Sequence, residues 1–202
     1  MHLFAGTGER SSGEVFVRGE SFSCGSPAAA IRAGLMLVSE DRKRYGLVAG
    51  ASVGFNLSLS SLNRFSSYRA FIDRHAEFQA NQAIFDALQI RAPDQETAVS
   101  ALSGGNQQKV VLGKALQTEP DIIFLDEPTR GIDVGAKQEI YHLINRLTAE
   151  GRAVVLVSSE LPELVGMSDR IAILSAGRIA AEFDARSVDQ EAILHASMAH
   201  SR

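Results

Sequence analysis

The chain has 202 residues, enough for one sizeable domain with its own hydrophobic core. Hydrophobic residues make up 45% and charged residues 22%, close to the averages of soluble globular proteins, which argues against a fibrous or disordered chain. The net charge of −4 creates no overall attraction for a phosphate backbone, so no nucleic acid is expected as a partner. The single cysteine, Cys24, cannot form an internal disulfide, which favours a reducing compartment.

The first 50 residues predict a small β element, a short helix and a buried strand. Residues 1–6 resemble the last turn of an apolar helix closed by glycine, which predicts a further segment upstream. Residues 14–19 alternate in polarity and end in glycine, as a strand at a turn does. A helix over 28–33 and an apolar strand over 34–39 follow, and the strand runs into acidic Glu40.

Between about 52 and 104 the composition becomes polar and helical. This change predicts a helical subdomain inserted into an α/β body. Six apolar residues there have spacings that suit one face of a helix, and we expect them in the core: Ala70, Phe71, Phe78, Ile84, Phe85 and Leu88.

After this insertion the chain alternates between helices and apolar strands. A serine-glycine turn opens a helix that runs to about Gln117, and residues 121–128 form an almost wholly apolar strand. Strand, helix, strand is the order of a parallel sheet with crossover helices, so we predict an α/β fold with a parallel core sheet and a small antiparallel part. The remaining predicted elements are a helix over 134–150, a strand over 153–158, a short helix from Leu161, strands over 170–174 and 179–183, and a terminal helix from about Ser187.

Two adjacent acids, Asp126 and Glu127, end the most apolar strand. In an open parallel sheet ligands bind outside the carboxyl ends of the strands, and adjacent side chains point in opposite directions. One acid can therefore hold magnesium while its neighbour polarises a water, as a Mg-nucleotide site requires. The alternative is that both are ordinary strand-end acids that cap the next loop.

The turn Ser103-Gly104-Gly105 carries a second set of groups suited to phosphate. At a helix N-terminus it offers backbone N–H groups, a hydroxyl and the positive end of the helix dipole, and its glycines allow close approach. The alternative is a plain serine-capped helix start.

The order and spacing of these motifs resemble those of the ATP-binding cassette (ABC) ATPases. Leu102 to Gln107 is similar to the family signature, Phe124 to Glu127 to its Walker B strand, and Gly131 to Asp133 to its D-loop. The resemblance covers essentially the whole chain and implies the P-loop NTPase-like ABC fold, with ATP and Mg²⁺ as cofactors.

The same resemblance implies roles for individual residues. Asp126 would bind the metal, and Glu127 and Ser159 would be catalytic. The implied nucleotide-binding residues are Glu40, Ser103, Gly104, Gly105, Asn106, Gln107 and Asp133.

Four longer segments resemble one branch of the family, the second cassette of the tandem ATPases of bacterial ribose, xylose and galactose importers. They are S-E-D-R-K-R-x-G-L, L-S-G-G-N-Q-Q-K, D-E-P-T-R-G-x-D-V-G-A-K and V-S-S-E-x-P-E. This resemblance implies an ATPase component that couples ATP to sugar uptake at the cytoplasmic face of the inner membrane. Its implied partners are a second ABC cassette, membrane permease subunits and, indirectly, a periplasmic sugar-binding protein.

The sequence departs from the family pattern at three places. No stretch fits G-x-x-x-x-G-K-[ST], the loop that holds the β and γ phosphates, so we expect that loop and the first strand upstream, and no hydrolysis by the isolated chain. Glu40 stands where most cassettes have a glutamine, and Ser159 where most have a histidine. Because serine has no imidazole, we expect slow hydrolysis or a structural ATP site even in a complete protein.

ABC cassettes work as head-to-tail pairs, with each ATP between one partner's phosphate loop and the other's signature. The resemblance therefore implies that Ser103, Gly104 and Gly105 act on ATP held by a second cassette, while Asp126 and Glu127 serve the chain's own site. Two alternatives stay open. One is a non-catalytic partner or remnant cassette, and the other is an ABC ATPase that acts on DNA or ribosomes, which the acidic charge disfavours.

Overall fold

A computed structural model describes residues 4–6, 8, 12–67 and 71–198. The chain divides into two compact units, Met1–Val155 and Leu156–Arg202. Residues 1–3 of the helix end expected at residues 1–6 lie outside the described residues, and Phe4 to Gly6 form a turn. Ala70, expected in the core, also lies outside the described residues.

The described residues alternate between strands and helices much as the sequence predicts. A π-helical turn spans Arg42–Gly46, and 3₁₀ turns span Leu62–Phe65 and Val99–Ala101. In chain order the other elements are β1 (Phe16–Val17), β2 (Glu20–Ser21), α1 (Pro27–Arg32), β3 (Leu35–Val38), α2 (Val53–Ser58), β4 (Ser66–Ser67), β5 (Phe71–Ile72), α3 (Arg74–Ala87), α4 (Gly104–Leu116), β6 (Ile122–Asp126), α5 (Val134–Ala149), β7 (Ala153–Val157), α6 (Leu161–Met167), β8 (Arg170–Ser175), β9 (Arg178–Asp184) and α7 (Gln190–Met198).

A three-stranded sheet with the order β3-β6-β7 forms the core of the first unit. β3 and β6 are parallel, from Leu35 opposite Ile122 to Val38 opposite Leu125. Because Ile123, Phe124 and Leu125 are all buried, β6 is the central strand that its continuous apolar sequence predicts. The α/β fold with a parallel core sheet is therefore confirmed.

Helices α2 and α3 pack on α4 in the region where the sequence predicts a helical subdomain. Buried Val53, Leu57 and Val99 contribute its apolar core. A buried polar chain joins the three helices, since Gln117 Nε2 donates to Asn81 Oδ1 at 2.8 Å and Asn81 Nδ2 donates to the Gly54 carbonyl at 3.0 Å. The domain boundaries themselves stay a prediction.

Two of the aromatic residues expected in the core of this lobe are exposed instead. Phe71 lies in β5 rather than in a helix and is 77% exposed, and Phe78 on α3 is 52% exposed. The buried positions of α3 are taken by Glu77 and Asn81, one helical turn apart, which bond to α2 and leave Phe78 on the outer side. Leu88 is buried as predicted.

The second unit packs the hairpin β8-β9 with α6 and α7 around Ile171, Ile173 and Ile193. The strand expected to continue the parallel sheet is β8, and within the described part of the chain it pairs antiparallel with β9. The reason is local: Ala176 and Gly177 both have positive φ, at 49° and 76°, which favours the tight two-residue turn of a hairpin.

We predict that Gly113→Ala destabilises the first unit by about 1–3 kcal/mol, because overpacking a filled core costs that much. A Cβ at Gly113 would lie 2.6 Å from Leu57 Cδ2 and 2.8 Å from Ile84 Cγ2. Urea unfolding followed by circular dichroism measures the effect. Gly50→Ala is the control, since its Cβ would meet nothing within 4 Å. Equal midpoints for the two variants would contradict close packing of the three helices.

Candidate nucleotide site

A cavity of about 740 Å³ runs along β3 and reaches the carboxyl ends of β3 and β6. Glu40 and Asp126 both line it, together with Ser39, which follows β3 directly. The two acids come together because β3 and β6 are parallel neighbours in register, so their carboxyl ends meet at one edge. The cavity also contains Lys114 of α4, whose Nζ donates to the Gly46 carbonyl; burial lowers the pKa of this ammonium group.

Glu127, the first residue after β6, has an unusual backbone conformation. Its φ of 47° lies in the left-handed region, which costs a non-glycine residue about 1 kcal/mol or more. The turn that holds it closes through the Arg130 N–H, which donates to the Glu127 carbonyl at 3.1 Å, and the next two residues, Pro128 and Thr129, are buried. Strained residues of this kind cluster at functional sites, so the conformation supports a functional role for this acid.

The donor set of the cavity fits a magnesium ion that binds together with a nucleotide. Mg²⁺ usually takes one or two protein carboxylates and completes its shell with phosphate oxygens and water. Asp126 and Glu40 provide two carboxylates in one cavity. Among the residues that the structure describes, no cluster of three or more His, Cys, Asp or Glu side chains that could hold a metal ion occurs.

The serine-glycine turn is the N-terminus of α4, as predicted. Ser103 is the N-cap, and its Oγ accepts from the Asn106 N–H at 3.4 Å and from Asn106 Nδ2 at 3.0 Å. Gln107 Nε2 donates to the carbonyls of Val99 and Leu102, both at 3.2 Å. The side chains of Asn106 and Gln107 are therefore bonded within the chain.

The N-terminus of α5 lies beside this turn. An added Cβ at Gly105 would lie 2.6 Å from Ala136 Cβ, so only glycine fits there at this helix separation. Asp133 is the N-cap of α5, and its Oδ1 accepts from the Ala136 N–H at 2.9 Å. This bond lowers the pKa of the Asp133 carboxyl, which keeps it ionised at neutral pH.

Two arginines connect the cavity with the serine-glycine turn of residues 102–107, which we call the signature turn. Arg130 Nη1 lies 2.6 Å from Glu40 Oε2, and Arg42 Nη1 donates to the Arg130 carbonyl at 3.2 Å. Arg42 Nη2 also lies 3.0 Å from the position that a Cβ on Gly104 would take. The Arg130–Glu40 pair is largely solvent-exposed, so its contribution to stability is below about 1 kcal/mol.

Residues 42–44 are three consecutive basic residues, a pattern typical of a solvated loop, but the first of them does not fit this pattern. Arg42 is half-buried against the signature turn, whereas Lys43 is exposed and Arg44 lies over the Tyr45 ring at 5.1 Å. No local pattern distinguishes the three residues. Only the fold, which brings residues 42 and 130 together, separates them.

The predicted site residues fall into three groups. Glu40 and Asp126 share the cavity, with Glu127 directly after Asp126, and residues 103–107 lie beside Asp133. Ser159 follows β7 in the second unit, where it is exposed; the neighbouring Ser158 Oγ accepts from the Glu160 N–H at 3.0 Å. Their roles in nucleotide binding and catalysis stay predictions.

Comparison with known proteins establishes the family. The family model described as ABC transporter matches residues 1–130. The chain belongs to the ABC transporter family. The fold of this cassette is similar to a solved nucleotide-free ATP-binding cassette from an ABC transporter, with a TM-score of 0.79 and 21% identity over 99% of this chain and 79% of the other. It is also similar to a dimeric post-hydrolysis state of the ATP-binding cassette MJ0796 bound to ADP and Pi, with a TM-score of 0.75 and 20% identity over 93% and 79%.

Several curated relatives of the cassette are named as sugar import ATP-binding proteins. It is 47% identical to a xylose import ATP-binding protein XylG of Moorella thermoacetica over 95% of this chain and 38% of the relative. It is 50% identical to the ribose import ATP-binding protein RbsA 2 of Rubrobacter xylanophilus over 92% and 36%. The cassette thus spans less than two fifths of the length of these relatives.

We predict that Gly105→Ala separates the N-termini of α4 and α5 and destabilises the first unit by about 1–3 kcal/mol. The double variant Gly105→Ala with Ala136→Gly should recover part of this loss, because it removes the Cβ that the new methyl group meets. Thermal and urea unfolding of the two variants, with Ala136→Gly alone as the control, measure the recovery. A double variant less stable than the sum of both single changes would contradict the contact.

Proposed function

We propose that this cassette is an ATP-binding component of a bacterial sugar importer, and that it presents its signature turn to ATP held by a second cassette. Relatives named for xylose and ribose import, at 47–50% identity, support the substrate class. The packing of Gly105 against Ala136, which joins the signature turn to the D-loop aspartate, is the single observation that carries the second part.

The signature turn has the chemistry for an ATP phosphate. The first amides of α4 have no partner within the helix, and the helix dipole favours an anion there. Gly104 is half-buried with no side chain over its backbone, and the Arg42 guanidinium adds a positive charge beside it. These groups therefore suit a phosphate that approaches from outside the chain, as the γ-phosphate on a partner cassette would.

The chain's own site is proposed at Asp126 and Glu127. Asp126, with Glu40 in the same cavity, would hold Mg²⁺, which neutralises charge on phosphate oxygens when it is bound. Glu127 would accept a hydrogen bond from a water and orient it for attack on phosphorus. The 202 residues contain no G-x-x-x-x-G-K-[ST] loop, so they lack the amides and lysine that would hold the triphosphate in this site.

A set of exposed hydrophobic residues supports a permease partner. They are exposed, lie in the first unit and belong to the helical lobe or the turn before it: Tyr45, Val48, Phe55, Leu59, Phe71 and Phe78. Exposed large hydrophobic side chains grouped on one lobe are typical of a protein interface. Among the described residues no helix is long and apolar enough to cross a membrane. Such contacts with permease subunits would place the cassette at the cytoplasmic face of the inner membrane, linked only indirectly to a sugar-binding protein.

A second candidate is a cassette that binds or organises ATP without turning it over. Ser159 favours this candidate, because a serine cannot supply the imidazole that most cassettes have at this position. The signature turn would act in the same way in both candidates, so only the activity of the chain's own site separates them.

We predict that the 202-residue chain alone hydrolyses no ATP above background, and that Glu127→Gln changes nothing. A turnover of about 1 per second that vanishes in Glu127→Gln would contradict this, since a working site would then exist.

In an importer assembled with a cassette that carries a phosphate loop, Ser103→Arg should abolish the ATPase activity that this chain stimulates. Unchanged stimulation by Ser103→Arg would contradict the proposed role in trans.

We also predict that Phe71→Asp weakens association with the membrane permease by about 10-fold or more, because a charge would replace a large apolar contact. Pull-down from detergent-solubilised membranes measures the association. Phe16→Asp is the matched control, since Phe16 is 60% exposed on β1, outside the helical lobe. Equal loss with both variants would contradict a specific docking surface.

A further inference from the structure

We propose that Asn106 is a positioning residue that sets the Ser103 hydroxyl as a hydrogen-bond donor to a phosphate oxygen. The inference rests on the proposed function, because it concerns the same turn. It changes the role expected for Asn106, which the family resemblance places among the residues that bind the nucleotide.

The contacts of Ser103 occupy the lone pairs of its hydroxyl and leave its proton free to be donated. Its Oγ accepts from Asn106 Nδ2 at 3.0 Å and from the Asn106 N–H at 3.4 Å. A serine hydroxyl has two acceptor lone pairs and one proton, so both lone pairs are engaged inside the chain. Within the described part of the chain the Ser103 hydroxyl donates to no acceptor, and the residue is exposed. Its proton is therefore available to an oxygen atom outside the chain.

The orientation of the Asn106 amide is fixed by a second bond. Asn106 Oδ1 accepts from the Arg91 backbone N–H at 2.8 Å. A flipped amide would set an NH₂ group against this N–H donor, so the oxygen must face Arg91 and the nitrogen must face Ser103. The Arg91 N–H thus fixes the orientation of the Asn106 amide, so that the amide nitrogen donates to a lone pair of the Ser103 hydroxyl.

A charged cluster holds that segment in place. Lys109 on α4 is buried, and its Nζ contacts the Gln89 carbonyl at 2.9 Å and Glu139 Oε2 on α5 at 2.7 Å. The other oxygen of Glu139 lies 3.3 Å from Arg91 Nη2. Residues 89–91 are therefore bonded to both α4 and α5, which makes Asn106 part of a rigid frame rather than a free surface amide.

A double-mutant cycle between Asn106 and Ser103 tests the proposal. The probe is inorganic tripolyphosphate, titrated into the ¹⁵N-labelled 202-residue chain while the amide signals of Gly104 and Gly105 are followed. Asn106→Ala should weaken binding about 3- to 10-fold, the effect of one hydrogen bond. Ser103→Ala should weaken it to a similar degree, and the double variant should bind no more weakly than Ser103→Ala alone. Asn145→Ala, an exposed change on α5, is the matched control and should leave binding unchanged.

Additive losses in the double variant would overturn the proposal, because Asn106 would then contact phosphate independently of Ser103. Unchanged binding by Asn106→Ala would overturn it as well. If the wild-type amides of Gly104 and Gly105 do not respond to tripolyphosphate, both this inference and the proposed phosphate role of the turn are wrong. Binding by the wild type combined with additive losses would leave the proposed function intact and reject the positioning role alone.

The wild-type protein provides a test that does not depend on the stability of any variant. In the same titration the side-chain NH₂ signals of Asn106 should shift less than the amide signals of Gly104 and Gly105, since the amide donates to Ser103 rather than to phosphate. A larger shift of the Asn106 side chain would show direct contact and overturn the proposal. Urea midpoints of Asn106→Ala and Asn145→Ala, measured on the same samples, separate a loss of affinity from a loss of folding.

Discussion

The contact between Gly105 and Ala136 is the constraint on which the site depends. With no side chain at residue 105, α4 and α5 begin side by side, and the Asp133 cap of α5 lies beside Gly105. Any larger residue would separate the two N-termini by part of a methyl diameter. Because helix dipoles act only within the first turn, such a shift would weaken the field at the signature turn as well as its shape.

A second constraint is the register of β3 against β6. It aligns Val38 with Leu125, so Glu40, after β3, and Asp126, the last residue of β6, reach the same cavity. Arg130 then connects this cavity with the signature turn, since its guanidinium pairs with Glu40 while its carbonyl accepts from Arg42. These contacts fix the positions of Glu40 and Gly104 relative to each other through two arginines.

The features that the sequence predicts correctly are those that depend on residues adjacent in the chain. The apolar run of β6, the serine cap of α4 and the acid after β6 each depend on neighbouring residues, and the structure agrees with all three. Phe71 and Phe78 show where this approach ends. Their spacing fits a buried helix face, but Phe71 lies in β5, outside any helix. The face of α3 that packs inward is decided by Glu77 and Asn81, whose partners lie on α2, and this leaves Phe78 outside. The half-burial of Arg42 likewise depends on a contact distant in sequence, with Arg130.

Several polar side chains in and beside the signature turn are already bonded within the chain, which indicates that the turn is preorganised. Asn106 and Gln107 use their side chains for bonds inside the chain, and Asp133 uses its carboxylate to cap α5. Ser103 is exposed, and within the described residues its hydroxyl donates to no acceptor. A turn held by its own neighbours loses little conformational entropy when a ligand arrives, so more of the interaction with phosphate is available for binding. That property suits a surface whose ligand is held by another subunit, because the two halves of the site must match at the moment of contact without rearranging.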